Sequence, residues 1–123
     1  MEKLNFINKQ MEALGVPYEF MQWSSDIAYP YFVGELTEDS VVTSDGLRES
    51  TLIITGFHRG SFIDLESVKN KIKNHFHPEY GLQGWTDSGA IVVFYDGSFY
   101  VPIEDGDLRR IQINLKIKEW KVS

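Results

Sequence analysis

Cysteine is missing altogether from the 123 residues. That excludes a disulfide framework, a thiol nucleophile and any thiolate metal site, and it fits a reducing compartment. Long apolar runs are missing too. No stretch approaches the roughly 18 residues of a membrane-spanning helix. The opening MEKLNFINKQ has charge and amide where a signal peptide needs an apolar run. Basic side chains are scarce, with 12 Lys and Arg against 18 Asp and Glu for a net charge of −6. An acidic chain without a basic stripe is a poor candidate for sequence-specific nucleic-acid binding. The expectation is a soluble, cytosolic protein with no membrane contact.

What is present suits a folded domain. The composition is 42% hydrophobic, 14% aromatic and 24% charged, which is ordinary for a globular protein. The length predicts a single domain, residues 1–123. The charge, however, is lopsided. Residues 1–50 hold nine acids and three bases, and residues 51–123 hold nine of each.

Periodicity sets out the elements. Leu4, Ile7, Met11 and Leu14 form one apolar stripe over Lys3–Leu14, ended by Gly15 and Pro17. Strands are expected at Val16–Trp23, Tyr29–Leu36 and Glu49–Phe57. Between the last two, the polar stretch Thr37–Arg48 suits either a hairpin tip extended by Val41-Val42 or a loop. A second helix starts at the N-cap Ser61 and carries Leu65, Val68, Ile72 and Phe76 on its buried side, with Lys69, Lys71 and Lys73 toward its C-terminal half. Tyr80–Trp85 reads as a Gly-rich connection. Strands Gly89–Tyr95 and Ser98–Ile103 then flank Asp96-Gly97, a strong hairpin signal. In Leu108–Val122, Ile111, Ile113, Leu115 and Ile117 alternate with polar residues. Trp120 and Val122 fall out of phase, for which a bulge near Lys118-Glu119 would compensate. The order α-β-β-β-α-β-β-β predicts an α+β fold, two helices packed on a mainly antiparallel sheet.

The run Ala90–Tyr95 is apolar at odd and even positions alike. A strand with one wet face should alternate, so its second face needs a cover, either from the same chain or from another subunit. Candidate self-association residues are therefore Ile91, Val93, Tyr95, Phe99 and Tyr100. Tyr29, Tyr31, Phe32, Tyr95, Phe99 and Tyr100 fall on strands expected to be neighbours, and such aromatics are enriched at protein interfaces.

Catalytic signals are weak. His75 and His77 sit at a helix end with no completing ligand set. The acids at Glu38-Asp39 and Glu104–Asp107 lie in expected turns. No serine stands in a Gly-x-Ser-x-Gly elbow, and Gly56–Gly60 lacks a P-loop ending. No enzyme activity, metal or cofactor is expected. Arg59 is exposed in that turn and suits a partner contact.

The run Pro30-Tyr31-Phe32-Val33-Gly34-Glu35, the turn Asp45-Gly46, Glu49 opening a β-rich strand, Thr55-Gly56, Arg59-Gly60 and Leu65-Glu66 opening a Lys-rich helix resemble a group of small proteins. These come from tailed bacteriophages and prophages of Gram-positive bacteria, among the head–tail joining and tail-completion proteins. The element order is similar to the tail terminator fold. The likeness covers residues 3–76 by motif and the rest by element order alone. It implies a structural protein that forms a ring, usually hexameric, on the finished tail tube and joins it to the head. Its partners would be itself, the tail-tube protein and the head-connector protein. It would reside in the host bacterial cytoplasm during assembly and in the virion neck or tail afterwards. Partner contacts would fall on Tyr31, Glu35, Glu38, Asp39, Asp45 and Arg59. The alternative is a small intracellular domain that binds a ligand or peptide, and its strands should then alternate around convergent polar residues.

Overall fold

The computed structural model describes residues 2–21, 28–42, 46–103 and 106–121, without the side chains of 39–42 and 121. Helix α1 spans Glu2–Leu14 and buries Lys3, Ile7 and Met11. Its buried face is thus turned from the expected stripe, with Lys3 in the place of Leu4. Gly15, at φ 71°, ends it. The Gly15 N–H donates to the Glu12 carbonyl and the Val16 N–H to the Met11 carbonyl, both at 3.0 Å, the paired bonds of a Schellman cap.

Strand β1 is only Tyr18–Phe20, shorter than the expected Val16–Trp23, of which Gln22 and Trp23 lie outside the described residues. β2 runs Tyr31–Val42 and β3 Leu47–Arg59, so the polar stretch extends a hairpin. Helix α2 spans Phe62–His75, with the Ser61 Oγ accepting from the Ile63 N–H, as the N-cap requires. Phe76 lies just past its end and is fully buried.

After α2 the strands differ from expectation, although their number and the element order agree. The Gly-rich connection contains β4, Leu82–Thr86. β5 runs unbroken from Gly89 to Tyr100. Asp96-Gly97 makes no hairpin: Tyr95 pairs with Leu115 and Ser98 with Ile113, so both residues stand opposite Asn114 as a bulge. Gly97 takes φ 102° there, which glycine adopts at no steric cost. Residues 101–103 lie outside any strand. β6, Leu108–Lys121, keeps its register against β3 from Arg59↔Leu108 to Leu47↔Trp120. The expected bulge at Lys118-Glu119 is therefore absent, and Trp120 belongs to the opposite face; Val122 lies outside the described residues.

The six strands form one curled sheet in the order β1-β2-β3-β6-β5-β4. All pairs are antiparallel except β1 with β2. An α+β architecture follows. Ile7, Met11, Leu65 and Ile72 of the helices meet Phe32, Leu52, Ile54, Ile91, Val93 and the odd isoleucines of β6 in one core. Each such side chain contributes about 1.5–3 kcal/mol by leaving water. Two glycines make room for rings, since a Cβ at Gly56 would strike Phe32 and one at Gly84 would strike Phe6. Gly84 is thus a strand residue under a helix side chain, not a loop residue.

Candidate protein-interaction surface

Because side chains alternate along a strand, the register fixes which residues share the face away from the helices. At one end Leu47, Trp120, Ala90 and Trp85 pair in sequence across β3, β6, β5 and β4. They form an apolar rung, and Trp85 is 75% exposed. At the other end Tyr31 is paired with Phe57 and stacks on it at 5.1 Å. Tyr29 lies 5.6 Å from Tyr31, with the Arg59 guanidinium 5.8 Å from the Tyr29 ring. The middle mixes Glu35, Thr37, Thr51, Thr55, Gln112, Asn114 and Lys116 with the apolar Val33 and Ile53. Glu49 reaches Lys116 and Lys118 at 3.7 Å each, and such exposed pairs contribute little.

The expected self-association residues divide. Ile91 and Val93 are 1% and 0% exposed. They point under the helices into the chain's own core and present no surface to a second copy. Tyr95 is half-buried, its hydroxyl sharing a hydrogen bond of 2.6 Å with the Ser98 hydroxyl across the bulge. Phe99 and Tyr100 are exposed. The aromatic set does not sit on adjacent strands either, because β3 and β6 separate β2 from β5, and Phe32 is wholly buried. Among the expected partner contacts, Glu35 is exposed and Asp39 lies on β2, while Asp45 lies outside the described residues. Arg59 is exposed and its guanidinium donates to the Asp107 carboxylate at 2.7 Å.

The helix side of the sheet holds polar clusters at its two ends. Lys3 was missed because a lone cation carries no sequence signal for burial. Its ammonium donates to the Ser50 hydroxyl at 3.2 Å and pairs with Glu38 at 2.9 Å and Glu119 at 3.1 Å. Burial pulls its pKa down, but the hydrogen bonds it donates to Glu38 and Glu119 outweigh this and raise it. Lys3 holds Glu38 below the usual carboxylate range in return. A cleft of about 240 Å³ beside them is lined by Glu38, Arg48, Glu119 and Trp120 among others. At the far end the buried His58 bonds the Asp64 carboxylate at 2.8 Å. His75 bonds Gln10 at 2.7 Å, tying α2 to α1. His77 Nδ1 accepts from the Glu79 N–H at 3.1 Å. Neither is gathered with other ligands: among the described residues no three of His, Asp and Glu are grouped to hold a metal.

A second cleft, of about 570 Å³, runs along α2 beside the end of β5, lined by Phe62, Ile63, Glu66, Ser67, Asn70 and Tyr100. Phe62 meets Tyr100 edge-on at 4.8 Å. The Tyr100 hydroxyl donates to Glu66, which also pairs with Lys69 at 2.5 Å. Burial, then the Glu66 carboxylate, pushes the Tyr100 phenol up to about 12. The arrangement is apolar and aromatic with a charged rim, suited to contact rather than to proton transfer. Compared with known proteins, the chain matches no family model, and no curated protein is significantly similar to it.

Proposed function

We propose that this protein is a structural subunit that acts by binding other proteins and copies of itself, and that it serves in tail completion and head–tail joining of a tailed bacteriophage or prophage. The observation that carries the binding role is the sheet face that none of the described elements covers. It has the apolar rung Leu47–Trp120–Ala90–Trp85 at one end and the Tyr29–Tyr31–Phe57 cluster at the other. Exposed tryptophan and tyrosine are the side chains that most often anchor protein interfaces. The tail assignment rests on the sequence resemblance over residues 3–76. A ring of copies on the end of a tail tube would turn this face to tube or connector, with recognition by shape and charge and no chemical step.

Light scattering on the purified protein, with negative-stain imaging of the protein alone and mixed with tail tubes, tests this reading. Ring-shaped particles or capped tubes are expected, and Trp85→Glu should remove the cap while leaving the helix and sheet signals intact. A chain that stays monomeric, ignores tubes and comes from a gene flanked by metabolic genes refutes the assignment.

A further inference from the structure

Among the described strands the sheet has two unpaired margins, on opposite sides. β4 covers β5 only from Gly89 to Val93. The Tyr95 N–H, pointing to the same side, is taken by the Phe76 carbonyl at 2.7 Å. Beyond the bulge the Val101 N–H donates to the Arg110 carbonyl at 3.0 Å. Antiparallel alternation then turns the Phe99 N–H toward β6 and those of Ser98 and Tyr100 outward. No described strand meets them. Across the sheet, β1 covers β2 only at Phe32–Gly34, and the Met21 N–H takes the Gly34 carbonyl at 2.8 Å. From Glu35 to Val42, β2 has β3 on one side and no described strand on the other.

Resting on the self-assembly reading, we propose that the open edge of β5 receives β2 of a second copy as an added strand, in the groove beside α2. An open strand edge next to a helix is a recurrent way of holding an extended chain. Charge selects the occupant. β2 carries Glu35, Glu38 and Asp39 and no base. α2 supplies Lys69 and Lys73 along the groove: Lys69 pairs with Glu66 beside Tyr100, and the Lys73 ammonium stands 5.7 Å from the Tyr95 ring. Phe62 and Ile63, 44% and 75% exposed, give the groove an apolar wall that shields added backbone bonds from water. The two margins differ, so the contact is heterologous. Repeated head to tail it closes into a ring or runs on as a filament.

The test uses full-length protein, light scattering, and a labelled synthetic peptide of residues 31–42. The wild type should self-associate and bind the peptide. Lys69→Glu with Lys73→Glu should weaken both by about tenfold or more at low salt. Adding Glu35→Lys and Asp39→Lys to that variant should restore association by reversing both sides. Tyr100→Pro, which removes an outward N–H, should abolish both; if it unfolds, the charge reversals decide. Self-association unchanged by every variant overturns this interface and leaves the self-assembly reading standing. A protein that neither self-associates nor binds the peptide overturns both. Equal binding of a scrambled peptide overturns β2 as the occupant in favour of any acidic segment of a foreign partner.

Discussion

Val92 and Val93 are adjacent in sequence and face opposite sides of β5, which makes them a direct test of the layering. Val93 is 0% exposed and lies among the core residues, opposite Ile117. Truncation to alanine removes two methyl groups. At about 0.8 kcal/mol each the transfer loss is about 1.6 kcal/mol, and unfilled space adds up to about 1 kcal/mol more. Val93→Ala should therefore cost about 1.6–2.6 kcal/mol and lower the melting temperature by roughly 5–10 °C for a domain of this size. Val93→Asp adds the desolvation of a carboxyl group, several kcal/mol against a total stability of about 5–15 kcal/mol. That variant should be largely unfolded. Val92 is half-buried on the uncovered face opposite Lys118, so Val92→Ala should cost less than about 1 kcal/mol. Val92→Asp should remain folded. Urea unfolding followed by tryptophan fluorescence and circular dichroism reads all four. A folded Val93→Asp beside an unfolded Val92→Asp would mean that the helices cover the other face, and the assignment of both surfaces would fall.

Three further outcomes follow from polar groups. Lys3→Met should cost about 1–2 kcal/mol at neutral pH, because it strands Glu119 and Ser50 with only part of the pair shielded from water. The Lys3 pKa is raised and that of Glu38 lowered, so this contribution fades as pH rises through the folded lysine value and as pH falls through the folded Glu38 value. Urea midpoints of wild type and variant should converge at both extremes, and a gap independent of pH would exclude the ion pairs as its source. The buried Tyr18 hydroxyl has no partner among the described residues, so Tyr18→Phe should leave stability unchanged or raise it by up to about 1 kcal/mol in thermal melts; a loss would reveal a partner. The Tyr100 phenol should ionise near pH 12, burial being the first cause and Glu66 the second. The stability it contributes is present below the ordinary tyrosine value and is lost as pH rises toward 12. Alkaline spectrophotometric titration of wild type minus Tyr100→Phe isolates it, and Glu66→Gln should lower the midpoint; no movement would place Glu66 away from the phenol.

Elements whose pattern is local were legible in the sequence. The N-cap Ser61, the stripe Leu65–Ile72 and the alternation of Ile111–Ile117 each specify their structure with little help from distant residues. Elements decided by a distant partner were not. An Asp-Gly dipeptide permits a hairpin or a bulge, and the choice at Asp96-Gly97 is made by β6, which continues opposite both halves of β5. Gly84 reads as a loop residue until Phe6 occupies the space above it. Trp120 is out of phase only if every apolar residue must face the helices, whereas it completes a rung on the other side. The expected interface suffered for the same reason. A strand pattern shows that two faces are apolar without showing which one the chain's own helices cover.

This changes the physical basis for self-association. The two-sided apolar character of Ala90–Tyr95 first required a cover, and the chain provides both. Ile91 and Val93 lie under the helices, while the Lys118 ammonium stands 5.7 Å from the Phe94 ring on the other face. A lysine stem laid over apolar surface with its charge in water is a sufficient cover for a half-buried strand. That stretch of β5 therefore makes no demand for a neighbour. Among the described residues, what lacks a cover is at the periphery: the tryptophan rung, the outward amides of Ser98 and Tyr100, and the acidic margin of β2. Exposed strand edges are liabilities that folded proteins blunt or pair. β5 ends here in Phe99 and Tyr100 beside a lysine-bearing helix, and β2 carries acid along its length. An assembly built on those margins would leave the outer face free for other proteins, so one small subunit could join its own kind and a different partner through separate surfaces.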